Sequence, residues 1–317
     1  IGLVLCVLLC GGMSMTAQAE ERTDDGFYYE ENKDGGITIT GYTGDETELV
    51  IPGEIDGKGV TSIGDSAFEY CYGLTSIEIP AGVTSIGESA FEHCSGLTSI
   101  EISAGVTSIG ESAFEECYGL TSIEIPAGVT SIGNRAFYNC NGLTSITVDS
   151  KNKYYDSRDN CNAIIETGSN TLIRGCKSSK IPAGVTSIGN RAFYNCSGLT
   201  SIEIPAGVTS IGVSAFEECE SLTSIEIPAG VTSIGHDAFG ACLDLVIACY
   251  KDSYAYNYAI DNNIPVKLLE VETPGDASGD DKPTPNPTTP SNPKNDDTQQ
   301  KPKAVPAKKG TTLTVSS

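Results

Sequence analysis

A 23-residue motif repeated along the chain limits what this sequence can fold into more than any other feature. Every copy reads Val-Thr-Ser-Ile-Gly followed by Ala-Phe-x-x-Cys, and the first copy differs only in what precedes Val60. The repeated aromatic residues are Phe68, Phe91, Phe114, Phe137, Phe193, Phe216 and Phe239. Units of this length bury their apolar side chains only by stacking on neighbouring units. The sequence therefore predicts a solenoid whose function lies on an extended surface.

Each unit predicts two short strands and one tight corner. In the unit 97–119, Leu-x-x-Ile-x-Ile alternates as a first strand and Val-Thr-Ser-Ile forms a second. The following Ala113, Phe114 and Cys117 lie on one face of a short helix or 3₁₀ turn. Each coil is thus predicted to have two strand faces and a helical corner.

The whole pattern, Leu-x-x-Ile-x-Ile-Pro-x-x-Val-x-x-Ile-Gly-x-x-Ala-Phe-x-x-Cys, resembles the BspA-like, treponemal-type leucine-rich repeat of bacterial surface proteins. The resemblance covers residues 49–245. It implies a mainly β, right-handed leucine-rich-repeat superhelix with short helical turns, a parallel sheet on the concave side and terminal caps. It also implies an adhesive or host-binding role at a surface, which the repeat pattern alone does not indicate.

One unit departs from the repeat, because Phe137 and Phe193 are 56 residues apart instead of 23. The intervening 33-residue variant unit, near residues 148–181, lacks Ala-Phe-x-x-Cys. Two short strands around Gly168 predict a hairpin or an enlarged coil. Its basic residues are Lys151, Lys153, Arg158, Arg174, Lys177 and Lys180. This cluster predicts either an interaction knob or an ordinary structural variant.

The remaining segments predict caps and flanking regions. Residues 20–59 contain strands of an N-terminal cap, 60–245 form the solenoid, and 246–272 form a C-terminal cap with a helix over Ser253 to Asn262. Residues 273–309 are rich in proline and predict an extended linker. Residues 310–317 alternate like the first strand of a truncated further domain.

Residues 1–19 predict a signal peptide that is N-terminally incomplete. An apolar stretch over 1–9 is followed by Ala17-Gln18-Ala19, which fits a cleavage site before Glu20. We therefore expect a secreted or cell-surface protein with no membrane-spanning segment after cleavage. In an alternative interpretation, Cys10 becomes a lipidated N-terminus.

Seven of the twelve cysteines occupy one register of the repeat, three residues after each Phe. Because cysteine packs as a small hydrophobe, the pattern predicts a ladder of buried free thiols. Cys161 and Cys176 lie outside that register, and a bridge between them stays open.

Charge and motif content exclude several function classes. The net charge of -23 disfavours nucleic acid and anionic membranes as partners. The two histidines lie in different repeats, and the sequence has no nucleophile-elbow, zincin, phosphate-loop or dinucleotide motif. We therefore expect no enzymatic activity, no cofactor and no metal site in this chain.

Polar side chains that alternate with the buried residues of the first strands are the candidate binding site. They are Ser76, Glu78, Ser99, Glu101, Ser122, Glu124, Ser145, Thr147, Ser201, Glu203, Ser224 and Glu226. Stacked about 5 Å apart, these glutamates would repel one another, and a cation or a Lys/Arg-rich ligand would relieve that repulsion. A solvated face preserved by duplication is the alternative.

These features predict an adhesion or ligand-binding module for a protein or glycan on a host or neighbouring cell surface. Two other interpretations remain open at this stage. The chain could be the recognition arm of a larger secreted enzyme, or it could be a structural stalk of the cell surface.

Overall fold

In the computed structural model of this chain, residues 21–270 are described, and they form a mainly β solenoid. The leucine-rich-repeat solenoid predicted from the sequence is confirmed. The predicted signal peptide, proline-rich linker and start of a further domain lie outside the described residues.

The N-terminal end of the solenoid combines antiparallel and parallel strands. The strands are β1 (Glu21–Arg22), β2 (Phe27–Glu31), β3 (Ile37–Tyr42), β4 (Glu48–Val50), β5 (Glu54–Ile55) and β6 (Lys58–Ile63). Strand β3 pairs with β2 in antiparallel fashion and with β6 in parallel. The antiparallel strands therefore cover the first parallel coil, as a solenoid cap must.

The next coils each contribute one first strand and one second strand. In chain order these are β7 (Ser76–Glu78), β8 (Ser85–Ile86), β9 (Ser99–Glu101), β10 (Ser108–Ile109), β11 (Ser122–Ile125), β12 (Ser131–Ile132) and β13 (Ser145–Val148). Most equivalent strands pair in parallel with a register of 23 residues, as in Ile77 with Ile100 and Ile86 with Ile109, whereas β9 and β11 lie side by side in separate sheets. Two parallel ladders therefore run along the solenoid.

The variant unit folds as a small antiparallel sheet joined to the second ladder. It contains β14 (Tyr155–Asp156), a 3₁₀ turn (Arg158–Asn160), β15 (Ile164–Glu166) and β16 (Thr171–Arg174). Strands β15 and β16 form the predicted hairpin, and β16 then pairs in parallel with the next second strand. The unit is therefore both a hairpin and an enlarged coil.

The C-terminal coils return to the regular pattern. They contain β17 (Ser187–Ile188), β18 (Ser210–Ile211), β19 (Ser224–Glu226), β20 (Ser233–Ile234), β21 (Val246–Cys249), α1 (Tyr254–Asp261) and β22 (Val266–Leu268). Helix α1 begins where Ser253 accepts a hydrogen bond from the backbone N–H of Tyr256 at 3.2 Å, and Asn262 caps its end. Strands β21 and β22 continue the first ladder in parallel.

The repeated phenylalanines form two stacks in the core. The first stack has ring-centroid distances of 5.2, 5.3 and 5.4 Å from Phe68 to Phe137, and the second has 5.0 and 5.3 Å from Phe193 to Phe239. The ring centroid of Tyr42 lies 5.9 Å from that of Phe68, at the start of the first stack. The ring centroid of Tyr258 lies 6.1 Å from that of Phe239, at the end of the second stack. The variant unit interrupts the stacking between Phe137 and Phe193.

Of the two corners predicted from the sequence, a short helix or a 3₁₀ turn, the corner that carries each phenylalanine has the hydrogen bonds of a 3₁₀ turn in part. Alternate N–H groups keep the i→i−3 bond of a 3₁₀ turn, as from Cys94 to Phe91 at 3.2 Å. The others reach the next coil, as from Phe91 N–H to the Ala113 carbonyl at 2.8 Å. This alternation requires positive φ at two residues of each corner, such as Ser89 (φ 53) and His93 (φ 60).

All ten cysteines among the described residues are free thiols, including Cys161 and Cys176. Five of the seven thiols in the regular register donate to the phenylalanine carbonyl of the preceding coil, whereas Cys196, which follows the variant unit, donates to the Gly175 carbonyl. Cys117 Sγ, for example, lies 3.2 Å from the carbonyl oxygen of Phe91. The predicted thiol ladder thus also satisfies backbone carbonyls that face the core.

Candidate ligand-binding surface

The structure places ten of the twelve predicted site residues on the first strands, and the other two, Ser201 and Glu203, lie in the equivalent segment of their coil, where Glu203 forms an isolated bridge with Glu226. We name the twelve residues the first-strand strip. Their five glutamates are exposed, whereas the isoleucines between them are buried or half-buried. Glu78 stands opposite Glu101, Glu124 opposite Thr147, and Glu203 opposite Glu226. The alternation read from the sequence therefore yields a continuous polar face on each side of the variant unit.

The variant unit divides the strip into two parts. Asn162 takes the place of strand pairing there, because its Nδ2 donates to the Thr144 carbonyl and to Ser178 Oγ, each at 2.8 Å. Its Oδ1 accepts the Ile146 N–H at 2.5 Å. Lys180 is exposed and lies 23 residues before Glu203, so the glutamate register holds a cation at this coil. The strip therefore consists of two acidic segments with a basic residue between them.

Threonine hydroxyls beside the strip fix the spacing of the coils. Thr98 Oγ1 donates to the Thr75 carbonyl at 3.1 Å, and Thr121 Oγ1 donates to the Thr98 carbonyl at 3.1 Å. A second threonine ladder runs along the second strands, as from Thr107 to Thr84 at 3.0 Å. These threonines do not serve only to solvate an exposed face, because each one ties two coils together.

Four residues of the strip are brought together in a groove of about 860 Å³ at the C-terminal end. They are Ser201, Glu203, Ser224 and Glu226. Tyr250 and Lys267 complete its wall, and neither was among the sequence-predicted site residues. Both residues lie beyond the last Ala-Phe-x-x-Cys copy, where β21 and β22 continue the first ladder. The strand-like sequence of these two segments was the feature that could have pointed to them. The groove offers carboxylates, hydroxyls, an aromatic ring and one cation to a ligand.

Thiol and histidine chemistry is weakly supported in the described part of the chain. Desolvation by burial raises the pKa of the Cys140 thiol to about 12, so it is not a ready nucleophile. Burial likewise raises the pKa of Cys94, the thiol next to His93 in sequence, and the Nδ1 of His93 lies 2.9 Å from Glu116 on the corner face. Within residues 21–270, no three His, Cys, Asp or Glu side chains are grouped closely enough to hold a metal ion. None of the helices described is long and apolar enough to cross a membrane.

Solved structures with the same fold come from bacteria. A leucine-rich-repeat protein from Eubacterium ventriosum is 25% identical, with a TM-score of 0.54, covering 72% of this chain and 71% of that one. The T. pallidum leucine-rich-repeat protein TpLRR is 26% identical over 77% of this chain and 95% of its own, with a TM-score of 0.46. The pneumococcal vaccine antigen PcpA is 17% identical with a TM-score of 0.52, covering 73% of this chain and 81% of that one, and shows the fold alone.

The repeats also match a family profile directly. The profile of the BspA type leucine rich repeat region matches in six copies, over residues 61–166 and 166–263. No curated protein matches the chain significantly. The profile covers more than half of the sequence, and the parallel ladders and phenylalanine stacks agree with it. This chain therefore belongs to the BspA-type leucine-rich-repeat family.

Proposed function

We propose that this chain is a bacterial adhesion or ligand-binding module, secreted or held at the cell surface, that binds its ligand on the first-strand strip. The observation that carries the proposal is the row of exposed glutamates held at one register by buried isoleucines and threonine hydrogen bonds. Such a row is rigid before binding, so a ligand loses little free energy to ordering of the protein. Its membership in a family of surface proteins supports the same role.

The charge of the strip selects the chemistry of the ligand. Neighbouring carboxylates about 5 Å apart repel one another, and a Lys- or Arg-rich protein segment relieves that repulsion on binding. The groove around Glu203 and Glu226 adds Tyr250, whose ring can pack against a peptide side chain or a sugar. We therefore favour a basic protein segment over a glycan as the ligand.

A binding screen of the 317-residue chain against host matrix proteins and glycans tests the proposal. Binding of a hit should weaken at least tenfold in the double variant Glu101→Gln/Glu124→Gln and should fall as salt is raised. The matched control is Glu88→Gln/Glu111→Gln, which removes two exposed glutamates from the corner face. Equal weakening in both double variants would reduce the effect to net charge, and no weakening in either would contradict the proposed surface.

A recognition arm of a larger enzyme and a structural stalk predict different outcomes. A stalk self-associates in an ordered way without any ligand, which analytical ultracentrifugation would detect. An enzyme arm binds a polymer substrate in the same screen, so a glycan hit that resists the double variant would favour that function.

A further inference from the structure

The variant unit opens a groove that shares no lining residue with the first-strand strip. The second ladder is interrupted here, because β12 does not pair with β14, and the Ile132 N–H instead donates to Tyr155 Oη at 2.9 Å. On the outer side the flanking corners meet again, with the rings of Tyr138 and Tyr194 4.4 Å apart. The groove between them has a volume of about 570 Å³, and we name it the break groove.

A buried cation forms part of the break groove. Arg174 is only 4% exposed, and it stands in the interval between Phe137 and Phe193 where the phenylalanine stack stops. Its Nη2 makes one long hydrogen bond, 3.4 Å to the Cys140 carbonyl. Its Nε and Nη1 are buried and have no hydrogen-bond partner, and within residues 21–270 no carboxylate lies within 4 Å of it. A buried charge of this kind is costly unless a counter-ion is near.

Two further arginines line the same groove. The guanidinium carbons of Arg135 and Arg191 lie over the Tyr138 ring, 4.5 and 5.7 Å from its centroid. Arg135 is paired with Glu115 at 2.5 Å, whereas Arg191 has no carboxylate within 4 Å in the described part of the chain. Arg174 and Arg191 therefore give this groove an excess of positive charge, with Glu166 as the one carboxylate on its lining, in a protein of net charge -23.

We propose that the break groove binds the carboxylate of an acidic sugar, with Arg191 contacting the anion and Arg174 supplying the buried positive charge beneath it. Arginine recognises planar two-oxygen anions through its fork of N–H donors. Ser187 and Ser210 on the groove wall can bond sugar hydroxyls, and Tyr138 offers a ring face. The acidic surface elsewhere, including Glu166 on the groove, opposes a polyanion and favours a ligand with isolated charges.

Calorimetry and thermal melting of the 317-residue chain test this site with sodium glucuronate, glucose and sodium sulfate as probes. Glucuronate should bind and raise the melting temperature, whereas glucose should do neither at equal concentration. Equal effects of glucuronate and sulfate would overturn the acidic-sugar assignment, and no effect of glucuronate would overturn the site.

The variant Arg174→Met keeps the length of the side chain and removes its charge. Glucuronate binding should weaken tenfold or more, while the ligand-free melting temperature should stay equal or rise because an unpaired buried charge is lost. The control Lys151→Met removes one exposed charge from the same unit outside the groove and should bind as the parent does. A lower ligand-free melting temperature with unchanged binding would make Arg174 a purely structural residue.

A second variant keeps the test decisive if Arg174→Met does not fold. Arg191→Gln removes the half-buried arginine and should also weaken glucuronate binding several-fold. Unchanged affinity in Arg191→Gln would contradict the proposed contact. The break groove and the first-strand strip have no residue in common. Absence of glucuronate binding would therefore contradict the break-groove proposal without contradicting the proposed adhesion surface.

Discussion

The regular coils and the variant unit are joined to their neighbouring coils by hydrogen bonds from different groups. In the regular coils, backbone N–H groups, threonine hydroxyls and thiols donate to backbone carbonyls of the adjacent coil, 22 to 26 residues away in sequence. Examples are Phe91 N–H to the Ala113 carbonyl and Cys117 Sγ to the Phe91 carbonyl. In the variant unit, side chains provide most of the bonds that join it to the preceding coils, as from Asn152 to Pro126 and Val129, from Asn162 to Thr144 and from the Ile132 N–H to Tyr155. Identical coils can pair through the backbone, whereas an unequal coil needs polar side chains, and these leave a cationic groove.

The largest expected effect is loss of stability at alkaline pH. Burial raises the pKa of Cys140 to about 12 and that of Cys196 to about 11, against about 8.5 for an unfolded thiol. Above pH ~8.5 the unfolded chain therefore binds fewer protons than the folded one, so the free energy of unfolding falls as pH rises. The slope approaches about 1.4 kcal/mol per pH unit for each buried thiol. Urea unfolding under reducing conditions from pH 7 to 10.5 measures it.

The same titration sharpens the comparison between the two regions. Beyond the dominant effect of burial, the charge of Arg174 lowers the pKa of Cys140 and Cys196 beside the variant unit. In Arg174→Met the pKa of Cys196 should rise, so its thiolate absorbance should appear at higher pH. A stability that does not change between pH 8 and 10.5 would show that the thiols are not buried as described.

The second largest effect is expected from removing a stacked ring. Phe114→Ala should cost about 3 to 5 kcal/mol of unfolding free energy, because the ring is fully buried between two others. Phe137 has a stacked phenylalanine on one side only, so Phe137→Ala should cost less. Chemical denaturation of both variants measures the difference. Equal costs would mean that the interrupted side of Phe137 is packed as tightly as a regular coil.

A smaller effect is expected at the side chain that replaces strand pairing. Asn162→Ala removes the side-chain hydrogen bonds to Ile146, Thr144, Cys176 and Ser178 and should cost about 1 to 3 kcal/mol. The matched control is Asn190→Ala in a regular coil, where the side chain accepts one bond from the Val213 N–H. Hydrogen exchange at Ile146 should accelerate only in the first variant. Protection at Ile146 that survives Asn162→Ala would indicate pairing independent of this side chain.

The smallest effect is expected on the first-strand strip. Glu101→Gln relieves repulsion from Glu78 and should raise stability by a few tenths of a kcal/mol at low salt, and by less at high salt. Thr147 stands opposite Glu124, so Glu124→Gln should gain less. Thermal melting at two salt concentrations measures both. A loss of stability in Glu101→Gln would indicate that the carboxylate makes a favourable contact in the folded state.

The regular coils were predictable because their spacing repeats a physical requirement. Ile77, Phe91 and Cys94 recur at fixed registers, and residues at those registers are buried along the solenoid, with Cys71 and Ile202 half-buried. The positive-φ corners were not predictable from apolar spacing, since Ser89 and His93 are ordinary polar residues. The threonine ladders were missed for a similar reason, because a hydroxyl that bonds a neighbouring carbonyl looks like a solvated one in sequence.

The variant unit was predictable only in part. Gly168 between two short apolar runs indicated the hairpin. Ile181-Pro182 lies 23 residues before Ile204-Pro205, which indicates that the chain resumes the regular 23-residue spacing at Ile181. The burial of Arg174 had no sequence signal, because a charged residue in an exposed-looking basic cluster does not indicate a core position. The break groove follows from that burial and from an absent corner, and both depend on three-dimensional packing.

The apolar interior is split at the variant unit into one cluster from Phe27 to Cys176 and another from Cys161 to Ala259. In the adhesion role proposed above, a pulling force along the chain would load these two clusters in series. We expect the weaker half to lengthen first and absorb work while the other half keeps its shape. A ligand bound to the other half in that role would then remain bound while the first half extends.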